Sequence, residues 1–100
     1  MSKSNYRQIP QKLHRKEEFD GNTMKARWEY AYADFRHLDH RVSKGNWAYL
    51  VYSYATVIAL WDPNEGTAIV NTGRYSNTTT RHQNLCRVWF ANANEYKEWN

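Results

Sequence analysis

The chain of 100 residues contains one cysteine, Cys86, so an internal disulfide is excluded. A lone thiol suits a reducing compartment. No apolar run approaches twenty residues, which argues against a membrane-spanning helix. The basic start lacks the apolar segment of a secretory signal. Acids are scarce after residue 45: Asp62 and Glu65 are the sole carboxylates up to residue 94, and both lie in the turn-like stretch Asp62-Pro63-Asn64-Glu65-Gly66. Paired catalytic carboxylates are therefore missing. There is no Gly-rich phosphate loop, internal repeat or low-complexity segment. The helix-turn-helix, zinc-finger and RNP aromatic patterns are absent too. These absences set the expectation of a soluble cytoplasmic protein that is not an enzyme, carries no cofactor and contacts no membrane.

What the sequence does have is aromatic mass and unevenly placed positive charge. Five Trp, eight Tyr and three Phe can fill the one core that a chain of this size supports. The formal net charge is +4. Residues 1–16 carry Lys3, Arg7, Lys12, Arg15 and Lys16 with no acid, and residues 74–94 carry only Arg74, Arg81 and Arg87. Between them, residues 46–73 have no Lys or Arg. Such a distribution leans towards anionic partners.

Taken in order, residues 1–18 read as a basic N-terminal arm, with Pro10 interrupting any helix before a short possible one at Lys12–Glu18. Residues 19–100 read as a single α+β domain. From Thr23 to Ala33, Met24, Ala26, Trp28, Tyr30 and Tyr32 alternate with Lys25, Arg27, Glu29, Ala31 and Ala33, which predicts a strand with one buried face. Asp34 to Lys44 is polar and irregular. Trp47 to Trp61 is apolar on both faces and rich in β-branched and aromatic residues, so it should be a central strand. Its fifteen residues exceed one strand, and Ser53-Tyr54-Ala55-Thr56 should bend it as a bulge or a tight hairpin. After the turn at Asp62–Gly66, Thr67 to Asn71 returns as a strand, and Arg74-Tyr75-Ser76 extends the sheet at an edge. The expected whole is an antiparallel sheet of three to five strands with one C-terminal helix packed on a face.

That helix starts at a polar corner. Thr80-Arg81-His82-Gln83 matches a capping box, in which Thr80 accepts from the Gln83 amide and the Gln83 side chain reaches back to the Thr80 amide. His82, Leu85, Trp89, Ala93 and Tyr96 then recur at helical spacing, with Val88 and Asn92 beside them, and predict a helix running to about Lys97. Capping alone accounts for Thr80 and Gln83. The arginines make the same corner a site where a phosphate or carboxylate would bind.

The succession Phe19-x-Gly21-Asn22-Thr23, Tyr49-x-Val51-Tyr52-Ser53-Tyr54-x-Thr56-x-Ile58-Ala59 and Tyr75-Ser76-x-Thr78-Thr79-x-Arg81-His82-Gln83 resembles a pattern of small uncharacterised bacteriophage proteins. The likeness spans residues 19–90. Two positions depart from it, Ala55 where a Gly is usual and Thr80 where a Ser is usual, and the stretch Glu29 to Lys44 is longer. The resemblance implies a phage origin, a shared fold and action in the cytoplasm of a host cell, with no set chemistry. Phage proteins of this size are commonly DNA-associated accessories or inhibitors of host machinery, anti-restriction and anti-CRISPR proteins among them.

Several chemistries compete for these residues. His37, His40, His82 and Cys86 supply four possible metal ligands, although not at a standard zinc spacing, and Cys86 serves as well as a small core residue. His82 and Cys86 lie one helical turn apart, yet no acid orients them and no oxyanion hole accompanies them. Nucleic-acid binding fits the composition best. Arg74, Arg81, Arg87 and the basic arm would contact phosphate, Tyr75 or Trp28 would stack on bases, and His82, Gln83 or Asn84 would read a base edge. The bland alternative for Arg81 and Arg87 is a solvated helix face. The rival class is an inhibitor of a host protein that uses exposed aromatics as anchors, with a homodimer through an open sheet edge as a further option.

Overall fold

The computed structural model describes residues 7–21, 23–30, 47–90 and 93–99. The expected irregular segment at 34–44, with His37, His40 and Arg41, lies outside the described residues, as do residues 1–6 of the expected arm.

Helix α1 spans Ile9–Arg15, where the sequence suggested an arm. Pro10 does not interrupt it; proline sits in the first turn, where its missing N–H leaves no bond unmade. Ile9 and Leu13, one turn apart, bury themselves in the core. Lys16 ends the helix in the left-handed conformation, φ 57°, and returns its N–H to the Leu13 carbonyl. The chain then runs through β1 (Phe19–Asp20), β2 (Met24–Tyr30), β3 (Trp47–Ser53), β4 (Thr56–Asp62), β5 (Thr67–Asn71), helix α2 (Asn77–Phe90) and β6 (Glu95–Trp99).

The strands form one sheet in sequence order, β1 to β6. The α+β class is as expected, but among the described residues the sheet has six strands and there are two helices. Each neighbouring pair is antiparallel except β5 and β6, which are parallel. The predicted helix to Lys97 stops at Phe90 because the sheet needs the residues that follow. All five residues of β5 are buried, so both of its backbone edges require partners. β4 supplies one, and Glu95–Trp99 supplies the other, docking through the Glu95 N–H on the Gly66 carbonyl at 3.0 Å. Gly66 itself has φ +66°, and a Cβ there would meet the Asn94 side chain at 2.8 Å. α2 is thus the crossover of a β-α-β unit.

β2 places Met24, Ala26 and Trp28 on the core face, as their alternation predicted. The long apolar stretch turns at Ser53–Thr56 as a tight hairpin, the second of the two forms considered there, and the bulge lies elsewhere. Tyr54 and Ala55 form a two-residue hairpin between β3 and β4, and a bulge shifts the register between Val51 and Tyr52, leaving Ile58 as the extra residue. Both helices pack on one face, against Tyr49, Val51, Ile58, Ala59, Ala68 and Val70, with Cys86 and Phe90 coming from α2. Across the sheet, Ala48, Leu50, Leu60 and Ile69 form a second buried cluster.

Aromatic polar tips tie the α1–β1 connection to the sheet. Trp28 donates from its indole to the Lys16 carbonyl at 2.7 Å, and the Tyr49 hydroxyl donates to the Glu17 carbonyl at 2.6 Å. Trp28 packs against Tyr49 with ring centres 5.3 Å apart. It is half-buried against the core and is not the exposed stacking surface considered for it.

Candidate functional site

α2 begins one turn earlier than its expected capping box. Ser76 is the cap: its hydroxyl accepts the Thr79 N–H at 3.2 Å. Thr80 is already helical, with its N–H on the Ser76 carbonyl at 3.0 Å. The same hydroxyl-to-amide chemistry is available at both positions, and packing selects the earlier one. Starting at Asn77 puts Thr79, His82, Gln83, Cys86 and Phe90 on the buried side of the helix. The expected stripe is rotated accordingly. Leu85 and Trp89 flank the core, and Val88 is 64% exposed.

The connection Thr72–Ser76 does not continue the sheet. It is a loop fastened by two buried amides. Asn71 accepts the Gly73 N–H at 2.9 Å and donates to the Val57 carbonyl at 3.3 Å and the Tyr75 hydroxyl at 3.1 Å. Gln83 donates both amide hydrogens to the loop backbone, to the Asn71 carbonyl at 2.7 Å and the Gly73 carbonyl at 2.9 Å. Gly73 packs so closely that a Cβ would lie 3.1 Å from the Asn71 side-chain oxygen and 3.4 Å from the Tyr75 ring.

Between this loop and α2 lies a cavity of about 350 Å³, lined on one side by Gly73, Arg74 and Tyr75 and on the other by Gln83, Asn84 and Arg87, with no carboxylate in its lining. Tyr75 is 48% exposed. Among the described residues the Arg74 guanidinium has no hydrogen-bond or ion-pair partner. Arg87 is engaged in part: its Nε lies 3.0 Å from Glu98 of β6, and its Nη1 donates to Asn84 at 3.3 Å. Nη2 keeps its donors.

Of the six residues singled out by sequence, Arg74, Tyr75, Gln83 and Arg87 meet at this cavity. Arg81 is exposed beside Asn77 and Asn84 on the helix surface and does not line it. His82 points to the opposite side. It is 4% exposed, and both ring nitrogens are occupied, Nδ1 with the Ser53 hydroxyl at 2.7 Å and Nε2 with the Thr23 hydroxyl at 3.5 Å. Ser53 also bonds Thr79 at 2.9 Å, and Ser76 donates to Thr79 at 3.2 Å. This hydroxyl–imidazole chain locks the β3–β4 hairpin to the first turn of α2. Burial pushes the His82 imidazole below its ordinary value, so the ring is neutral.

The basic residues of α1 do not join the corner. The end of α1 lies beside the far end of α2, where His14 meets Trp89 edge-on with centres 5.5 Å apart. Lys16 lies over the rings of Trp61 and Phe90, 5.2 and 5.0 Å from their centres, and Arg15 pairs with Glu17 at 3.7 Å. Sequence reading missed Asn71 as the organiser of the loop; its place at the end of a buried strand, two residues before Gly73, was the available signal.

The other chemistries find little geometry here. The Cys86 thiol is fully buried, and burial drives it well above the ordinary thiol range, so no thiolate forms near neutrality. With both His82 nitrogens committed, His82 and Cys86 do not form a ligand pair. No group of three or more His, Cys, Asp or Glu is placed to hold a metal among the described residues, and His37 and His40 lie outside them. No helix among the described residues is long and apolar enough to cross a membrane.

No curated protein and no solved structure matches the chain. A family model does, over residues 9–99, which takes in every described helix and strand and the whole corner. The chain therefore belongs to a family of unknown function, DUF8033.

Proposed function

We propose that this protein is a non-catalytic nucleic-acid-binding module of phage type, acting by stoichiometric contact in the cytoplasm of a host cell and gripping the phosphate backbone at the β5–α2 corner. One observation carries the reading. Arg74 from the loop and Arg87 from the helix converge on one polar cavity with Tyr75 at its wall and no acid in its lining. Guanidinium groups are phosphate donors, and an exposed aromatic beside them offers a base a flat surface. Arg81 extends the positive strip along the exposed side of α2. His82 and Gln83 serve this site as structural members, one fixing the helix start and the other the loop. A non-catalytic role agrees with the sealed thiol of Cys86 and with the buried, fully bonded Ser53–His82 pair.

A salt titration tests the proposal. Binding to mixed-sequence DNA and RNA, followed by fluorescence anisotropy, should weaken steeply as salt rises, because each neutralised phosphate releases counterions. An Arg74→Ala/Arg87→Ala double variant should flatten that slope by about 1.4 for a single strand, from roughly 0.7 per phosphate contact. Absence of binding at low salt would overturn the proposal.

The second reading is a phage-encoded inhibitor of a host protein. It has its own observation: Tyr30 and Trp47, paired across β2 and β3, are 55% and 53% exposed and meet edge-on with centres 5.3 Å apart. Exposed aromatics of this kind are common anchors of protein interfaces. Capture of a host protein from nuclease-treated lysate, lost in a Tyr30→Ala/Trp47→Ala variant, would favour it.

A further inference from the structure

We infer that the corner cavity receives one unstacked nucleotide, so that the protein prefers single-stranded over double-stranded nucleic acid; the inference rests on the nucleic-acid reading above. The shape argument comes first. Proteins that read a duplex insert a convex element, usually a helix, into the major groove. Here the side of α2 carrying Asn77, Thr80, Asn84 and Arg87 faces the loop across a concavity. The recognised group must therefore project into the protein. In a duplex the bases are stacked and paired inward, whereas a single strand can turn one outward. A volume of about 350 Å³ lies at the small end of ligand pockets and suits one nucleotide-sized group.

The chemistry of the walls agrees. Tyr75 presents a half-exposed ring whose hydroxyl is tethered by Asn71 and whose edge abuts Gly73. A ring held from both sides is oriented before a base arrives, which reduces the ordering cost of stacking. The loop beneath it is clamped by the two N–H groups of Gln83, leaving only the Gln83 amide oxygen to accept from a ligand. Arg74 brings a guanidinium unengaged among the described residues, and Arg87 brings Nη2. Glu98 holds the Nε of Arg87, so an incoming phosphate shares that guanidinium with a resident carboxylate. Affinity at the site is consequently set below what its two arginines alone would give.

Anisotropy titrations of one labelled sequence as single-stranded DNA, single-stranded RNA and duplex DNA, at one fixed salt concentration, test this. The single strands should bind tighter than the duplex. Tyr75→Leu should weaken single-strand binding about 5- to 150-fold, the range for loss of one base–aromatic stack, and weaken duplex binding far less. Should the leucine variant melt early, Tyr75→Trp keeps the stacking surface and should bind single strands at least as tightly as the parent. Glu98→Gln should tighten binding a few-fold by freeing Arg87. Equal or tighter duplex binding, with Arg74→Ala weakening every ligand and neither Tyr75 variant altering any, would overturn the single-nucleotide inference while sparing the nucleic-acid reading. Binding of none of the three ligands at low salt would overturn both.

Discussion

Gln83→Leu separates a loop clamp from a ligand contact. In the native protein Gln83 is 5% exposed and donates to the carbonyls of Asn71 and Gly73 at 2.7 and 2.9 Å. Leucine is close in volume and a good helix former, so the helix itself should survive. What is lost is the pair of donors. Asn71 is 1% exposed, so its carbonyl is stranded away from water at about 1–3 kcal/mol. The Gly73 bond is only part-buried, and water can replace it, so its loss costs about 0.5–1.5 kcal/mol. Leucine burial offsets part of this, leaving about 2–3 kcal/mol of destabilisation. That is a large share of the ~5–15 kcal/mol typical of a domain. At ~4–8 °C per kcal/mol for this size, thermal unfolding should move down by about 10–20 °C. Circular dichroism melts read the shift. The same variant should bind nucleic acid more weakly even when fully folded at low temperature, because the loop carrying Arg74 and Tyr75 is no longer held. An unchanged melting temperature with abolished binding would refute the clamp and make Gln83 a direct ligand contact.

Three further outcomes follow from the core and the hairpin. Burial holds the His82 imidazole below its ordinary 6.5, so as pH falls the unfolded chain takes up the proton first. Stability is fully present above about 6.5 and is lost as pH drops from there towards the lower folded-state value; denaturant melts at pH 7.5 and 5 should show the loss, and His82→Gln should shrink the difference. Cys86, fully buried and protonated, should react with a thiol reagent at pH 8 at least about a thousandfold more slowly than in denaturant, because labelling must wait for unfolding; fast labelling of the native protein would show an open core. Tyr54 sits at the hairpin tip with φ 55° and is 55% exposed, so Tyr54→Gly should relieve roughly 1 kcal/mol of backbone strain and raise the melting temperature by a few degrees; a fall would mean that the ring contributes more than the backbone loses.

Local rules made much of the sheet legible. Period-two alternation located β2 and the side that buries Met24 and Ala26, because a strand's side chains can only alternate, although Tyr30, expected on that buried side, is 55% exposed. The continuous β-branched and aromatic run from Trp47 to Trp61 declared a central position, and its excess length required the bend that Tyr54 and Ala55 supply. Helix signals were legible in type and ambiguous in place. Pro10 carries the same meaning to a sequence reader whether it breaks a helix or opens one, and only the burial of Ile9 and Leu13 decides. Ser76 and Thr80 are interchangeable as caps by chemistry, and the choice fell to the packing of Thr79, His82 and Cys86 beneath the helix.

By itself, then, the sequence determined the class of the fold, the strands from Met24 to Asn71, and the gathering of arginines without acids near the last helix. Tertiary structure decided what those signals were for. It turned Glu95–Trp99 from helix into strand, because the buried edge of β5 left N–H and C=O groups that only another strand could satisfy. It also divided the polar corner, sending His82 inward to Ser53 and bringing Arg74, Tyr75 and Arg87 together around one cavity. The physical reason is the same in both cases: a backbone edge or a helix face acquires its meaning from the element packed against it, and that element can lie far away in the chain.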